Sequence, residues 1–426
     1  MKVRLPFVCL AILLVTACQS VLPIQLQEDE PTFTGTLRVG KYAFVPEGTH
    51  LPESNKEILH ERSLAFMEKY PGVSIEFVDA DLNKNYKSLL EDPNRTPDII
   101  ELTVNEARLS ARDLIENLTG QIEDSVSEWE GEYRKIIEMS EIEGENYMLP
   151  IFSDPVFVYY QPDIFKSNHI PVPKDGWTYG EYVDISRQLV AKGYRVEHAD
   201  TLNELEPFIQ TLGGTFAAPE MQDISGHFDS EATAAAFVNF SGMLRETEPS
   251  REDTEAALSV KRTANATSGI LQANYAVAPL PSTVEGTNYN TSLMTGFAIT
   301  KSSMQKELAW EYMKFLLGSS SEEAMNFLTN HTLEKIQIHN RIGHKPIFEE
   351  VKAWIRHEVT NAKPATFNLI WYDGLYSENA VPQRTQQQLK TFSDTETVKR
   401  ELKLWADEIK MRAPLLSETP EEAENR

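Results

Sequence analysis

The chain has two cysteines, Cys9 and Cys18, and both lie within its first eighteen residues. Everything that follows must therefore fold without an internal disulfide, held by packing alone. The remaining length of about 400 residues suffices for that, with room for two or three domains.

The segment that carries the cysteines is itself readable. Lys2 and Arg4 open it, and Leu5 to Val15 is almost wholly apolar. Such a run is too short for a bilayer, which takes about 20 residues. A basic start, a short apolar stretch and a small-residue exit form the pattern of a secretory signal peptide, here 1–17. The exit, Leu14-Val15-Thr16-Ala17-Cys18, resembles a bacterial lipobox, whose cysteine is acylated and begins the mature chain. The plainer alternative is an ordinary cleaved signal that happens to contain a cysteine. Buried acyl chains contribute about 0.8 kcal/mol per CH2, and two or more hold a protein at a bilayer. Residues 18–35, with Pro23, Pro31 and an acidic cluster, then read as a lipidated tether. The body is expected on the extracytoplasmic face of the cell membrane, lipid-anchored through Cys18. The formal charge of −25 argues against nucleic acid and against wide contact with anionic lipid. A solvated surface accounts for it. Residues 413–426 read as an acidic tail.

Between these ends, strand and helix signals alternate. Thr36 to Gly40 reads as a strand and Glu57 to Tyr70 as a helix, with Ile58, Leu59, Ala65 and Phe66 at helical spacing. Pro71-Gly72 stops it. Val73, Ile75 and Phe77 alternate with polar residues as in a half-buried strand, and Asp98 to Leu102 is a short third strand. This order predicts an α/β fold with mainly parallel sheets. Capping boxes mark three helix starts, at Thr178 with Glu181, Ser302 with Gln305, and Ser320 with Glu323. One helix is expected over Gln305 to Leu317, ended by Gly318, and a last amphipathic one over about Thr397 to Met411.

Several stretches, in this order, resemble the extracellular solute-binding proteins that serve carbohydrate ABC transporters. They are "FMEKYPGVSIEFV", "TPDIIEL", "DLIENLTGQIED", "YMLPIFSDPVFVYYQPDIF", "VPKDGWTYGEYVDISRQL", "YAVAPLPS" and "MTGFAITKSSMQKELAWEYMKFLLGSSSEEAMNFL". Together they cover roughly residues 36 to 405. The resemblance implies a two-lobed periplasmic-binding-protein type II fold, with the ligand cleft between lobes joined by crossing strands. Lobe one is expected at 36–152 and 283–318, and lobe two at 155–281 and 319–412. It also implies a small-molecule ligand, a carbohydrate by class, delivered to the permease subunits of an ABC transporter by a monomer. No cofactor and no metal is implied.

Ligands of open α/β sheets sit beyond the carboxyl ends of strands. That rule nominates Tyr42, Phe44 and Glu47 after the first strand and Thr103 and Asn105 after the third. At the first crossing it nominates Asp154 and Tyr159. Trp177, the turn Gly214-Thr215-Phe216, Gly296, and the cluster Trp371-Tyr372-Asp373 complete the set. Aromatic faces pack on the C–H side of a pyranose, and polar side chains bond its hydroxyls; for each aromatic, core packing is the competing role. One departure stands out. Before "YAVAPLPS" the family usually carries a Gly-x-Trp turn, whereas residues 257–269 here contain no tryptophan.

Other classes find little support. There is no nucleophile elbow, no HExxH and no phosphate-binding glycine loop. His331, His339 and His344 are close in sequence but lack a usual metal spacing. A sensor of the same fold, presenting ligand state to a receptor, is not separable from a transport protein by sequence.

Overall fold

The computed structural model describes residues 32–41, 53–79, 96–218, 224–249, 254–262, 275–329, 345–366 and 381–412. Tyr42, Phe44, Glu47, Trp371, Tyr372 and Asp373 lie outside them. So do Cys18, the signal, residues 18–31 of the expected tether, the three clustered histidines and the acidic tail; the tether's last residues, Thr34 and Gly35, belong to β1.

The chain begins with β1 (Thr34–Lys41), α1 (Glu53–Lys69) and β2 (Gly72–Asp79), with β1 and β2 paired in parallel. The inward stripe of α1 is Leu59, Ser63, Phe66 and, just past its end, Tyr70. Ala65, expected on that stripe, is exposed, and Ser63 takes the inward place because its hydroxyl bonds Leu59 O and Tyr312 Oη. β2 alternates as expected at Val73 and Ile75. It has β1 as its single neighbour among the described strands, and Phe77 near its end is exposed. β3 (Ile99–Thr103) joins β1 in parallel.

A helix at Glu132–Met139 (α2) precedes the twelve-residue strand β4 (Leu149–Tyr160). Helix α3 (Tyr179–Ala191), β5 (Arg195–Glu197), α4 (Leu202–Thr211), α5 (Glu231–Glu246), β6 (Ala256–Arg262), β7 (Ala276–Ala278) and β8 (Thr291–Ile299) follow. The described residues after β8 form α6 (Lys306–Leu317), a helix at 321–329, α7 (Lys345–Asn361), the short strand β9 (Lys363–Pro364), a helix at Val381–Gln388 and α8 (Thr395–Arg412).

The strands run in the order β2-β1-β3-β8-β4-β6-β5, with β7 on β4 and β9 on β8. The sheet is mixed, not mainly parallel. β1 with β2 and β3, β5 with β6, and β8 with β9 are parallel; β8 with β3 and β4, and β4 with β6 and β7, are antiparallel. The sequence pattern misled because β4 and β8 are buried along nearly their whole length, and such runs carry no sign of strand direction.

β4 changes partners midway. Leu149 to Pro155 pairs with β8, and Val156 to Tyr160 pairs with β6. The switch falls at Pro155, which has no N–H to give to a ladder. Two hydrophobic cores meet at β4, making a two-domain α/β fold. One core gathers Leu37, Phe66, Ile100, Trp129, Ile137 and Tyr312; the other gathers Phe165, Trp177, Phe208, Phe237, Leu258 and Trp405. Ala324, Met325, Leu328, Ile355 and Val359 pack in the first core, although they fall within the stretch 319–412 given above to the second lobe. The turn at 318–321 explains this: the Trp129 indole N–H donates to Gly318 O, and the Tyr133 N–H to Ser321 Oγ. These bonds fold 321–329 back onto the first core.

The capping boxes divide. Thr178 and Glu181 form one in full. Ser302 and Gln305 do not: α6 begins at Lys306, and Ser303 accepts the Gln305 N–H. Ser320 accepts the Glu323 N–H, but the Glu323 carboxylate reaches Ser319 N, not Ser320 N.

Candidate functional site

β3 ends in a tight corner. Thr103 Oγ1 accepts the Glu106 N–H at 3.1 Å, and the Glu106 carboxylate accepts the Thr103 N–H at 2.6 Å, a capping box that turns the chain sharply at the strand's carboxyl end. The signal, T-x-x-E at 103–106, is legible in the sequence but sits on a helical turn too short to attract notice. Asn105 is thereby carried inward to 2 % exposure, where its Nδ2 donates to Ala365 O at 2.7 Å. Its Oδ1 is buried with no hydrogen-bond partner among the described residues. Asn105 thus ties the end of β3 to the backbone just ahead of the stretch holding Trp371, Tyr372 and Asp373.

Across the sheet, Thr103 stands opposite Thr295, and Thr295 opposite Phe152. Residues in such a row share a face, since side chains alternate along each strand. Thr103 and Phe152 are half-buried, and Thr295 is buried between them. Behind the row, Thr295 Oγ1 donates to Glu101 Oε1 at 3.0 Å. Burial pushes the Glu101 carboxyl up to about 8; the Thr295 hydrogen bond pulls it down and Glu106 pushes it up. Glu101 therefore stands as a neutral carboxyl at pH 7, able to donate as well as accept. Gly296 packs tightly against β4. A Cβ there would lie 2.7 Å from Leu149 O and 2.8 Å from Met148 Sδ, beside the irregular pairing between Pro150 and Phe152.

A buried charge cluster occupies the β4 switch. The Arg262 guanidinium, fully buried, donates to Asp154 O and Thr291 O, both at 2.6 Å, and to Thr291 Oγ1 at 2.9 Å. Burial lowers its pKa, while Asp154, Glu204 and Glu206 raise it. Asp154, Glu204 and Glu206 are themselves fully buried. Glu206 accepts the Thr366 N–H at 3.0 Å, one residue past the Ala365 that Asn105 holds. Glu204 meets Lys261, which also pairs with Asp200. Arg262, Glu204 and Glu206 were not legible as a unit, because a charged residue in sequence reads as solvated surface. The stretch 257–262, part of the segment that departs from the family pattern, is the strand β6 itself.

The other nominated residues have packing partners. The Trp177 indole donates to Pro279 O at 2.9 Å and its ring meets Tyr182 edge-on at 5.9 Å. Phe216 is fully buried against Phe228 and Phe237. Thr215 donates its N–H to Thr233 Oγ1 and its hydroxyl to Ala217 O. A Cβ on Gly214 would lie 2.6 Å from Ile209 Cγ2 and 3.0 Å from Thr233 Cα, so this glycine lets the end of α4 approach α5. Tyr159 is buried in the first core. Thr103, Asn105, Asp154 and Gly296 are the nominated residues that gather around the β3–β8–β4 crossing. Among the described residues no group of three or more His, Cys, Asp and Glu side chains is placed to hold a metal ion. No described helix is long and apolar enough to cross a membrane.

Comparison with known proteins adds to this geometry. A family model described as bacterial extracellular solute-binding protein matches residues 48–323. No curated protein matches the chain. Among solved structures, a sugar transporter from Rhizobium etli in an open conformation is 17 % identical, with a TM-score of 0.63 over 88 % of this chain and 99 % of the other. Maltose-bound MalE3 of T. maritima is 18 % identical, with a TM-score of 0.58 over 88 % and 99 %. UgpB from Mycobacterium tuberculosis, in complex with glycerophosphocholine, is 12 % identical, with a TM-score of 0.60 over 89 % and 99 %.

Proposed function

We propose that this chain, which belongs to the family of bacterial extracellular solute-binding proteins, captures a sugar or oligosaccharide outside the cell and hands it to the permease subunits of an ABC importer. The family consists of non-catalytic binding proteins, so the task is capture and release, not transformation. The observation that carries the reading is the single strand β4 shared by two separate cores, in a chain whose family binds solutes. Strands that pass between two bodies restrict their relative motion to opening and closing, so occupancy of the cleft is reported as closure. In this reading the fold is of the type II class. The first lobe comprises 36–152 and 283–318 together with the helix at 321–329, the second comprises 155–281 and the described residues 381–412, and α7 lies at their junction.

The solute would lie over the row Thr103–Thr295–Phe152, where a half-buried ring and hydroxyls offer the two surfaces that a sugar requires. Asn105 and Glu101 supply polar groups behind that row. Tyr42, Phe44 and Glu47, and Trp371, Tyr372 and Asp373, remain candidate ligand contacts in this reading. A buried polar group left unmatched costs about 1–3 kcal/mol, which gives such a site its discrimination. Acylation at Cys18 would hold the protein at the membrane beside its permease, as a monomer.

The test is a thermal-shift screen of the mature chain against mono- and oligosaccharides, with glycerophosphodiesters as a second panel. A solute present at 100 times its Kd adds about 2.7 kcal/mol of stability. A shift confined to one group of sugars establishes capture and names the class. A flat response to every sugar by a folded protein overturns the sugar reading. It would turn attention to the unusual 257–269 segment and to a receptor-presenting role.

A further inference from the structure

A second buried polar group lies at the lobe junction, apart from the solute row. Asn290 immediately precedes β8. Its Oδ1 accepts the N–H groups of Val156 at 3.1 Å and Thr291 at 2.8 Å, and its Nδ2 donates to Val156 O at 2.8 Å. One side chain therefore clasps β4, the strand shared by the two cores, directly after Pro155, together with the start of β8. Its remaining Nδ2 proton goes to Glu358 Oε2 at 2.6 Å, on α7. Glu358 is 2 % exposed, and its other oxygen faces Asn288 Nδ2 at 3.5 Å. α7 also spans the junction, since Trp354 packs against both cores and Ile355 and Val359 are buried in the first.

The geometry points to Glu358 as a positioning residue for lobe closure: through Asn290 its carboxyl governs how α7 is joined to the shared strand β4 and to β8, so the balance between open and closed lobes follows its charge. This rests on the reading that the lobes close on a solute. A carboxylate buried against amides and apolar residues is costly, and a neutral carboxyl there is not. Whichever arrangement of α7 against β4 admits more water therefore gains population when Glu358 ionises.

The charged surroundings do not cancel this. Asp175, ahead of α3, opposes a second negative charge at Glu358. β7 and β8 contain no ionisable side chain, and from β4 comes Asp154, whose backbone oxygen is bound by Arg262. On α2, Glu132 is paired with Arg356, which also holds Glu322, while Arg134 is paired with Glu138 and Lys135 is exposed. Lys363, whose N–H reaches Asn290 O, is exposed. Burial pushes the Glu358 carboxyl up to about 7, with the Asn290 hydrogen bond pulling it down and Asp175 pushing it up. The group thus changes charge near neutral pH.

The absence of cysteine after Cys18 makes the test direct. Spin labels are placed by Glu123→Cys on the first lobe and Lys192→Cys on the second, both exposed. Inter-lobe distances are then read by pulsed electron resonance on the sugar-free mature chain at about pH 5.5 and about pH 8.5. Each unit of difference in Glu358 acidity between the two arrangements shifts their ratio about tenfold. The expected result is a redistribution of distances in the wild type. Glu358→Gln should hold one distribution at both pH values, matching the wild type at low pH. Asp175→Asn, which leaves the Asn290 clasp intact, should move the wild-type midpoint to lower pH and remains informative if the glutamine variant fails to fold. An invariant wild type, a glutamine variant that follows the wild type, or an unmoved midpoint in Asp175→Asn overturns the inference. A sugar screen flat at both pH values would sink the capture reading alone, since the distances are measured without sugar.

Discussion

The sharpest consequence of the buried cluster at the β4 switch concerns Arg262. Replacing it with methionine keeps the volume and removes the positive charge from beside Asp154, Glu204 and Glu206, all fully buried. Three hydrogen bonds go with it, to Asp154 O, Thr291 O and Thr291 Oγ1. Bonds to charged groups contribute about 1.5–3 kcal/mol each, but removing one partner of a buried ion pair costs about 3–5 kcal/mol in all, and the latter is the magnitude expected for Arg262→Met at pH 7.5. The sign of the pH response follows. Without the guanidinium, burial drives the two glutamates above their unfolded acidity. A carboxyl raised in the folded state contributes stability that is present at low pH and lost as pH rises through its folded value. The deficit of the variant should therefore shrink as the pH falls toward 5. Urea unfolding of both proteins at the two pH values measures it, and adding Glu204→Gln and Glu206→Gln to the variant should recover much of the loss. A deficit below about 1 kcal/mol at pH 7.5, or one that does not lessen in acid, would refute the claim that Arg262 balances these buried charges.

Three other outcomes are expected. Gly296→Ala pushes a methyl group into Leu149 O and Met148 Sδ, and backbone cannot yield cheaply, so a loss of about 1–3 kcal/mol in urea unfolding should follow. Glu101→Gln should flatten part of the stability–pH curve: with a folded value of about 8, the wild-type carboxyl loses about 1.4 kcal/mol of stability per pH unit between its ordinary range and 8, and the amide does not. Cys18→Ser should abolish incorporation of labelled palmitate and release the protein from the membrane fraction; retention of label would place the acyl group elsewhere.

What sequence reading could reach depended on the range of the cause. Helix starts fixed by two neighbouring residues, such as Thr178 with Glu181, came out as expected. Ser302 failed because Ser303, one residue closer to the helix, offers the same hydroxyl. Thr103 and Asn105 were reachable by a rule about strand ends. Strand direction was not, since β4 and β8 are buried along both faces and register is set by distant partners. The return of 321–329 to the first core hangs on bonds from Trp129 and Tyr133, nearly two hundred residues upstream, and nothing local announces it. For the same reason Arg262, Glu358 and Asn290 escaped notice: a buried charge becomes recognisable only when its surroundings are known.

The placement of β8 bears on how such a chain acquires its shape. β1, β2 and β3 are all in hand by Thr103, yet the strand that completes their sheet begins at Thr291, after most of the second core has passed. A polypeptide that emerges amino terminus first must hold an unfinished apolar edge at β3 while roughly 190 residues of other structure follow. Pairings of such long range form slowly, and exposed strand edges invite association with other chains. The protein's most vulnerable interval is thus expected during secretion, and substitutions that speed assembly of the 155–281 region should raise yield even where they leave the finished molecule no more stable.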